Sequence, residues 1–173
     1  MKLTTLPQIL QERAEQTPQR LSQRHKHRGI WREYSFAQVR DQVRSLALGL
    51  HRLGVERGQT VAVIGENEPE HFWAELAAQA LGCKVVSMYP DLTADETQYL
   101  LEDSEAVCLF AQDQEQVDKG LAVLPRLPLL QHIVYWDATG MWSYKQAPLR
   151  TFEAVQSLGA ELQQREPDLF DKL

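Results

Sequence analysis

Residues 61–100 read VAVIGENEPEHFWAELAAQALGCKVVSMYPDLTADETQYL: an apolar run, a helical pattern, a second apolar run and a second helical pattern. The first run, Val61–Ile64, is continuously apolar rather than alternating, which marks a strand covered on both faces. Pro69 suits a first helical turn, and Phe72, Trp73, Leu76, Ala77, Ala80 and Leu81 follow at helical spacing until Gly82 ends the pattern. A second apolar run at 85–89 precedes Thr93-Ala94-Asp95-Glu96, a capping box that starts another helix.

The same alternation continues downstream. Runs at 61–64, 85–89, 107–110 and 133–136 start about 24, 22 and 26 residues apart, leaving room for a crossover helix between parallel strands. Asp113 caps the third such helix, which places Val117, Leu121 and Leu124 on one side. The fold class expected is α/β, a mostly parallel, doubly wound-like sheet with flanking helices and a small amino-terminal β-hairpin.

Upstream, Leu6–Gln16 carries Leu6, Ile9, Leu10 and Ala14 at helical spacing and stops before Pro18. LSQRHKH (21–27) and IWREYS (30–35) flank Arg28-Gly29 as two strands around a tight turn. Ser35 opens a capping box, and Phe36, Val39, Val43, Leu46, Ala47, Leu50 and Leu53 line a long helix that Gly54 ends. After Trp136 a turn-rich connector leads to a last helix from Phe152 to about Gln164. This gives 1–58 as helix, hairpin and long helix, 59–137 as the parallel core, and 138–173 as connector and last helix.

Composition excludes several function classes. The 173 residues are 43% hydrophobic and carry a net charge of −6, an ordinary globular balance without the basic excess of a nucleic-acid binder. Basic residues crowd only 20–32, RLSQRHKHRGIWR. Cys83 and Cys108 form no CxxC pair, lie in or beside apolar runs and read as buried reduced thiols. No run reaches signal-peptide or membrane-span length, so a cytoplasmic location is expected, without a transmembrane segment and with peripheral membrane contact left open.

Ligands of a doubly wound sheet lie beyond the carboxyl ends of its strands. The first loop there, GENEPE (65–70), has one glycine and three carboxylates where a phosphate site needs a glycine-rich turn. In the second, Asp91, Asp95 and Glu96 stand near a helix start, where capping and the helix dipole account for them. The third and fourth, AQDQEQ and DATG, are polar and lack a glycine-rich cradle, and neither a GxxxxGK[ST] loop nor a GxSxG elbow occurs. His25, His27, His51, His71 and His132 lack metal-ligand spacing; His25 and His27 share a strand face without a third ligand. Trp31, Trp73, Trp136 and Trp142 are scattered and suit packing. No catalytic, cofactor-binding or metal-ligating residue is assigned.

The order of these pieces resembles the amino-terminal part of the AMP-forming acyl-CoA synthetases, within the adenylate-forming superfamily. The matching positions are Tyr34-Ser35, Gly54-Val55, Gly58, Val61–Ile64, Asn67, Glu70, Gly82, Val85-Val86, Tyr89-Pro90, Thr93, Tyr99, Leu101, Ser104 and Ala106. HIVYWDATGMWSYKQAPLRTFEAVQSLG (132–159) is similar to the long-chain fatty acyl-CoA synthetase branch. The resemblance implies that 1–173 is an amino-terminal portion of an adenylation domain, from an enzyme that activates a long-chain fatty acid with ATP to acyl-AMP and then forms acyl-CoA. Cys83 stands where the family usually has alanine. The family's phosphate loop, adenine motif, ribose-binding aspartate, hinge and lid with its catalytic lysine lie downstream of the matched part. This chain alone is therefore expected to be inactive and to bind no cofactor; ATP, magnesium and CoA belong to the full-length enzyme, and the remainder of the domain is the expected partner. Two alternatives stay open: a non-catalytic module or split-enzyme subunit pairing with a separately encoded remainder, and an unrelated Rossmann-like nucleotide binder.

Overall fold

The computed structural model describes residues 5–173. Its first elements follow from local signals. Thr5 and Gln8 bond reciprocally to start α1 (Leu6–Gln16). β1 (Leu21–His27) and β2 (Ile30–Ser35) pair antiparallel. Their two-residue turn holds Arg28 and Gly29 at φ 48° and 82°, the left-handed pair that matches the twist of a hairpin. Ser35 and Gln38 form a second box at the start of α2 (Phe36–Arg52). That helix closes on Gly54 at φ 88°, where Gly54 N–H donates to the His51 carbonyl (3.0 Å) and Val55 N–H to the Leu50 carbonyl (3.0 Å).

β3 (Thr60–Ile64), α3 (Pro69–Ala80), β4 (Lys84–Met88), α4 (Ala94–Asp103), β5 (Ala106–Ala111), α5 (Gln114–Val123) and β6 (His132–Tyr135) are the predicted parallel units. The five-stranded sheet runs β4-β3-β5-β6-β7, parallel throughout. Successive side chains of the central strands enter opposite cores. Val61, Val63, Cys108, Phe110 and Val134 face α1, α2, α3 and α6 (Phe152–Arg165). Ala62, Ile64, Leu109, Ala111 and Ile133 face α4 and α5. Helices thus cover both faces, and the order reverses between β3 and β5.

Three sequence expectations change. The connector within 138–173 contributes a fifth strand, β7 (Leu149–Thr151), beside β6. Only three residues long, with Arg150 at its centre, it has no apolar run to announce it. In α3 the buried face is centred on Trp73, Ala74, Ala77, Ala78 and Leu81, while Phe72 is 43% exposed. Small alanines seat the helix closely, and that outweighs the bulk of Phe72. In α1 only Leu10 and Ala14 are buried; Leu6 and Ile9 lie on its solvent side.

Helices α2 and α6 meet through two glycines. A Cβ on Gly159 would overlap the Ser45 carbonyl and come within 2.7 Å of the Gly49 nitrogen. A Cβ on Gly49 would overlap the Val155 carbonyl. Both cysteines are free and buried. Burial pushes the Cys83 thiol up to about 11 and raises that of Cys108 further.

Candidate functional site

The carboxyl ends of β3, β5 and β6 form the mouth of the sheet, and the switch between β3 and β5 is where such a fold opens its ligand crevice. Here that crevice is filled from within. Gly65, at φ 153°, follows β3, and a Cβ there would meet the Gln112 side chain at 2.7 Å and the Trp136 ring at 2.9 Å. Gln112 accepts a hydrogen bond from Glu66 N–H (2.7 Å), and Trp136 Nε1 donates to Glu68 (2.9 Å). Loops after three strands are therefore tied together by side chains at the position a phosphate would take. The carboxylates of Glu66, Glu68 and Glu70 on the first loop add repulsion to that obstruction.

Open space lies further out, between the hairpin and this mouth. One cleft of about 250 Å³ has His25, His27, Arg28, Arg32 and Tyr34 on the hairpin side and Glu68, Glu70, Trp136 and Asp137 on the sheet side. Burial raises the Glu70 carboxyl above the usual range, with a smaller push from Glu68 and opposing pulls from His25 and Arg32. Asp137 is held low mainly by its bonds to Thr139, and Arg28 and His27 add attraction. Cations on the hairpin thus stand over carboxylates on the mouth. The hairpin is anchored at its base: Trp73 Nε1 donates to Gln23 (2.8 Å), and the Tyr34 ring meets Trp73 edge-on with centroids 5.2 Å apart.

A second cleft, of about 310 Å³, runs beside α3 and β4 past Asn67, His71, Phe72, Glu75, Ser87 and Tyr89. Ser87 Oγ donates to the Glu75 carboxylate, which also lies 3.5 Å from His71 Nε2. Those contacts, His71 first, hold Glu75 below the usual carboxylate range. The serine bonds to the acid and not to the imidazole, so the three do not form a nucleophile with its general base.

Glu96 closes its capping box by accepting from Thr93 N–H (2.9 Å) and Thr93 Oγ1 (2.8 Å), which lowers its pKa. His25 and His27 share a hairpin face with centroids 6.1 Å apart. His132 is half-buried against the Leu53 carbonyl (3.1 Å), and burial lowers its pKa. Among the described residues no three His, Cys, Asp or Glu side chains converge as a metal site, and no helix is long and apolar enough to cross a membrane. Sequence reasoning missed Gln112 and the plug it forms with Trp136; the isolated Gly65 was the one local signal of a close approach.

Comparison with known proteins identifies the architecture. A family model described as AMP-binding enzyme matches residues 10–168. A long-chain-fatty-acid–CoA ligase of Bos taurus is 29% identical over 145 residues, 83% of this chain and 20% of its own length. Among solved structures, a protein of Rhodopseudomonas palustris assigned as a long-chain-fatty-acid CoA ligase superposes with a TM-score of 0.74 at 22% identity, over 88% of this chain and 36% of that one. Acetoacetyl-CoA synthetase from Streptomyces lividans gives 0.77 at 22% identity, over 87% and 24%. The chain spans about a fifth of the length of the curated relatives it matches.

Proposed function

The chain belongs to the family of AMP-binding enzymes, and from that premise we propose that it is amino-terminal scaffold of a long-chain-fatty-acid–CoA ligase. The intact enzyme joins a fatty acid to ATP as acyl-AMP with release of pyrophosphate, then passes the acyl group to CoA with release of AMP. The observation that carries this reading is the family match over residues 10–168, joined to the long-chain-fatty-acid–CoA ligases among the relatives.

Within that enzyme the residues of this chain hold shape. The mouth does not fit the triphosphate of ATP: Gln112 and Trp136 occupy the crevice beside Gly65, and carboxylates surround it. Magnesium has no converging ligand set among the described residues. Transition-state charge on the transferred phosphorus needs cations and backbone donors aimed at it, so the chain alone is inactive. Purified 173-residue chain is expected to give only background exchange of labelled pyrophosphate into ATP, with or without a long-chain fatty acid. Fatty-acid-dependent exchange would overturn the inactivity.

A second reading, a split-enzyme subunit that pairs with a separately encoded remainder, is favoured by β4. Among the described residues this edge strand has one row of backbone groups unpaired, its Val85 and Val86 are only half-buried, and Tyr89 at its end is 80% exposed. Such an edge is a ready template for a strand from a partner. The nucleotide sequence beyond the codon for Leu173 separates the readings. In-frame continuation into a Ser/Thr/Gly-rich phosphate loop supports one continuous ligase, and a stop codon with a separately encoded remainder supports the second.

A further inference from the structure

The outer face of the β1–β2 hairpin has no part in the scaffold. Register places Arg24 opposite Glu33 and Lys26 opposite Trp31 on the face opposite to that of His25 and His27, with Arg28 at the turn. The Trp31 ring is 58% exposed and carries the Arg24 guanidinium 5.7 Å and the Lys26 ammonium 5.9 Å from its centroid. Ile30, next to the turn and opposite His27, projects from the other face of the hairpin and is 70% exposed. Glu33 pairs with Arg24 at 2.6 Å, and Asp137 attracts Arg28 from the cleft side, so Lys26 is the cation of this face with no carboxylate partner among the described residues.

We propose that this hairpin tip is a docking surface for an anionic lipid bilayer. Two large apolar side chains at the tip, Trp31 on the outer face and Ile30 on the other, with Lys26, Arg28 and Arg24 beside them, match an interface whose outside is negative and whose depth is apolar when the hairpin enters tip first. Tryptophan settles at that level because its ring is amphipathic, and basic side chains reach the head groups around it. A polyanion in solution would use the cations and leave Ile30 and Trp31 in water. The chain's net charge of −6 confines the attraction to this patch and orients the approach tip first. The surface is independent of the ligase reading, because it needs neither catalysis nor the remainder of the domain.

Vesicle flotation of the 173-residue chain tests the proposal, since floating vesicles separate bound chain from any aggregate, which sinks. Phosphatidylcholine vesicles containing phosphatidylserine are expected to carry the chain upward at low salt and release it at high salt; phosphatidylcholine alone should not carry it. Lys26→Ala and Arg28→Asn each lower the partition about 5-fold, the factor for one cation near an anionic surface, and Asn tolerates the left-handed turn position. Arg126→Ala, beyond the opposite end of the sheet, leaves it unchanged. Trp31→Ala lowers vesicle binding without altering binding to soluble polyacrylate. No flotation at low salt, flotation indifferent to the hairpin variants, or equal loss of polyacrylate binding in Trp31→Ala would each overturn the proposal.

Discussion

Between α2 and α6 two glycines bring helix backbones into contact, whereas at the mouth of the sheet the hairpin stands off the strands across open clefts lined by charge. The first region is dry: Phe110 is fully buried, and its ring meets Phe152 edge-on with centroids 5.9 Å apart. The second is open, and its cations and carboxylates face one another without direct ion pairs among the described residues. The difference teaches where this chain keeps its stability and where it keeps its adaptability. Close packing tolerates no added or missing volume, while a hydrated, charged cleft responds to pH and to whatever approaches it.

The contrast breaks first in the core. Phe110→Ala removes the largest fully buried side chain and is expected to cost about 4 kcal/mol, lowering the melting temperature by roughly 10 °C. Gly159→Ala comes next at about 3 kcal/mol, because the obstructing atoms are backbone and cannot rotate away. Urea titrations at neutral and acidic pH should return the same loss for each. A loss below about 1 kcal/mol in Gly159→Ala would mean that the two helices separate easily.

The mouth gives the smallest effect and the opposite pH behaviour. The folded-state pKa of Glu70 is raised, mainly by burial, so its ionisation weakens the fold as pH rises through that value. Below the unfolded pKa the carboxyl is protonated in both states and the penalty vanishes. Glu70→Gln is therefore expected to stabilise the chain at neutral pH and to match the parent below about pH 4. A gain that persists in acid would assign the effect to packing.

Much of this was legible because it is local. Arg28-Gly29 located both hairpin strands, and Ser35 and Gly54 bracketed α2, since turns and caps are decided within four or five residues. The four apolar runs located four of the five parallel strands for the same reason. β7 was not legible because its place depends on β6 and not on its own three residues. The rotation of α3 was hidden because alanines count little in a tally of bulk yet decide how closely a helix sits. At the candidate site the sequence showed the missing glycine-rich loop, but not what fills its place: the bond from Glu66 to Gln112 joins residues 46 apart, and Trp136 arrives from a third loop.

The contact between Gly49 and Gly159 also has a history in time. Roughly 110 residues separate the two, so at the usual 5–20 residues per second on the ribosome α2 waits on the order of ten seconds for the helix it packs against. During that interval its buried stripe of Val39, Val43, Leu46 and Leu50 lacks its final cover. A nascent chain of this kind presents a chaperone-sized apolar target early in synthesis, and the closing of α6 over it is the event that withdraws the invitation.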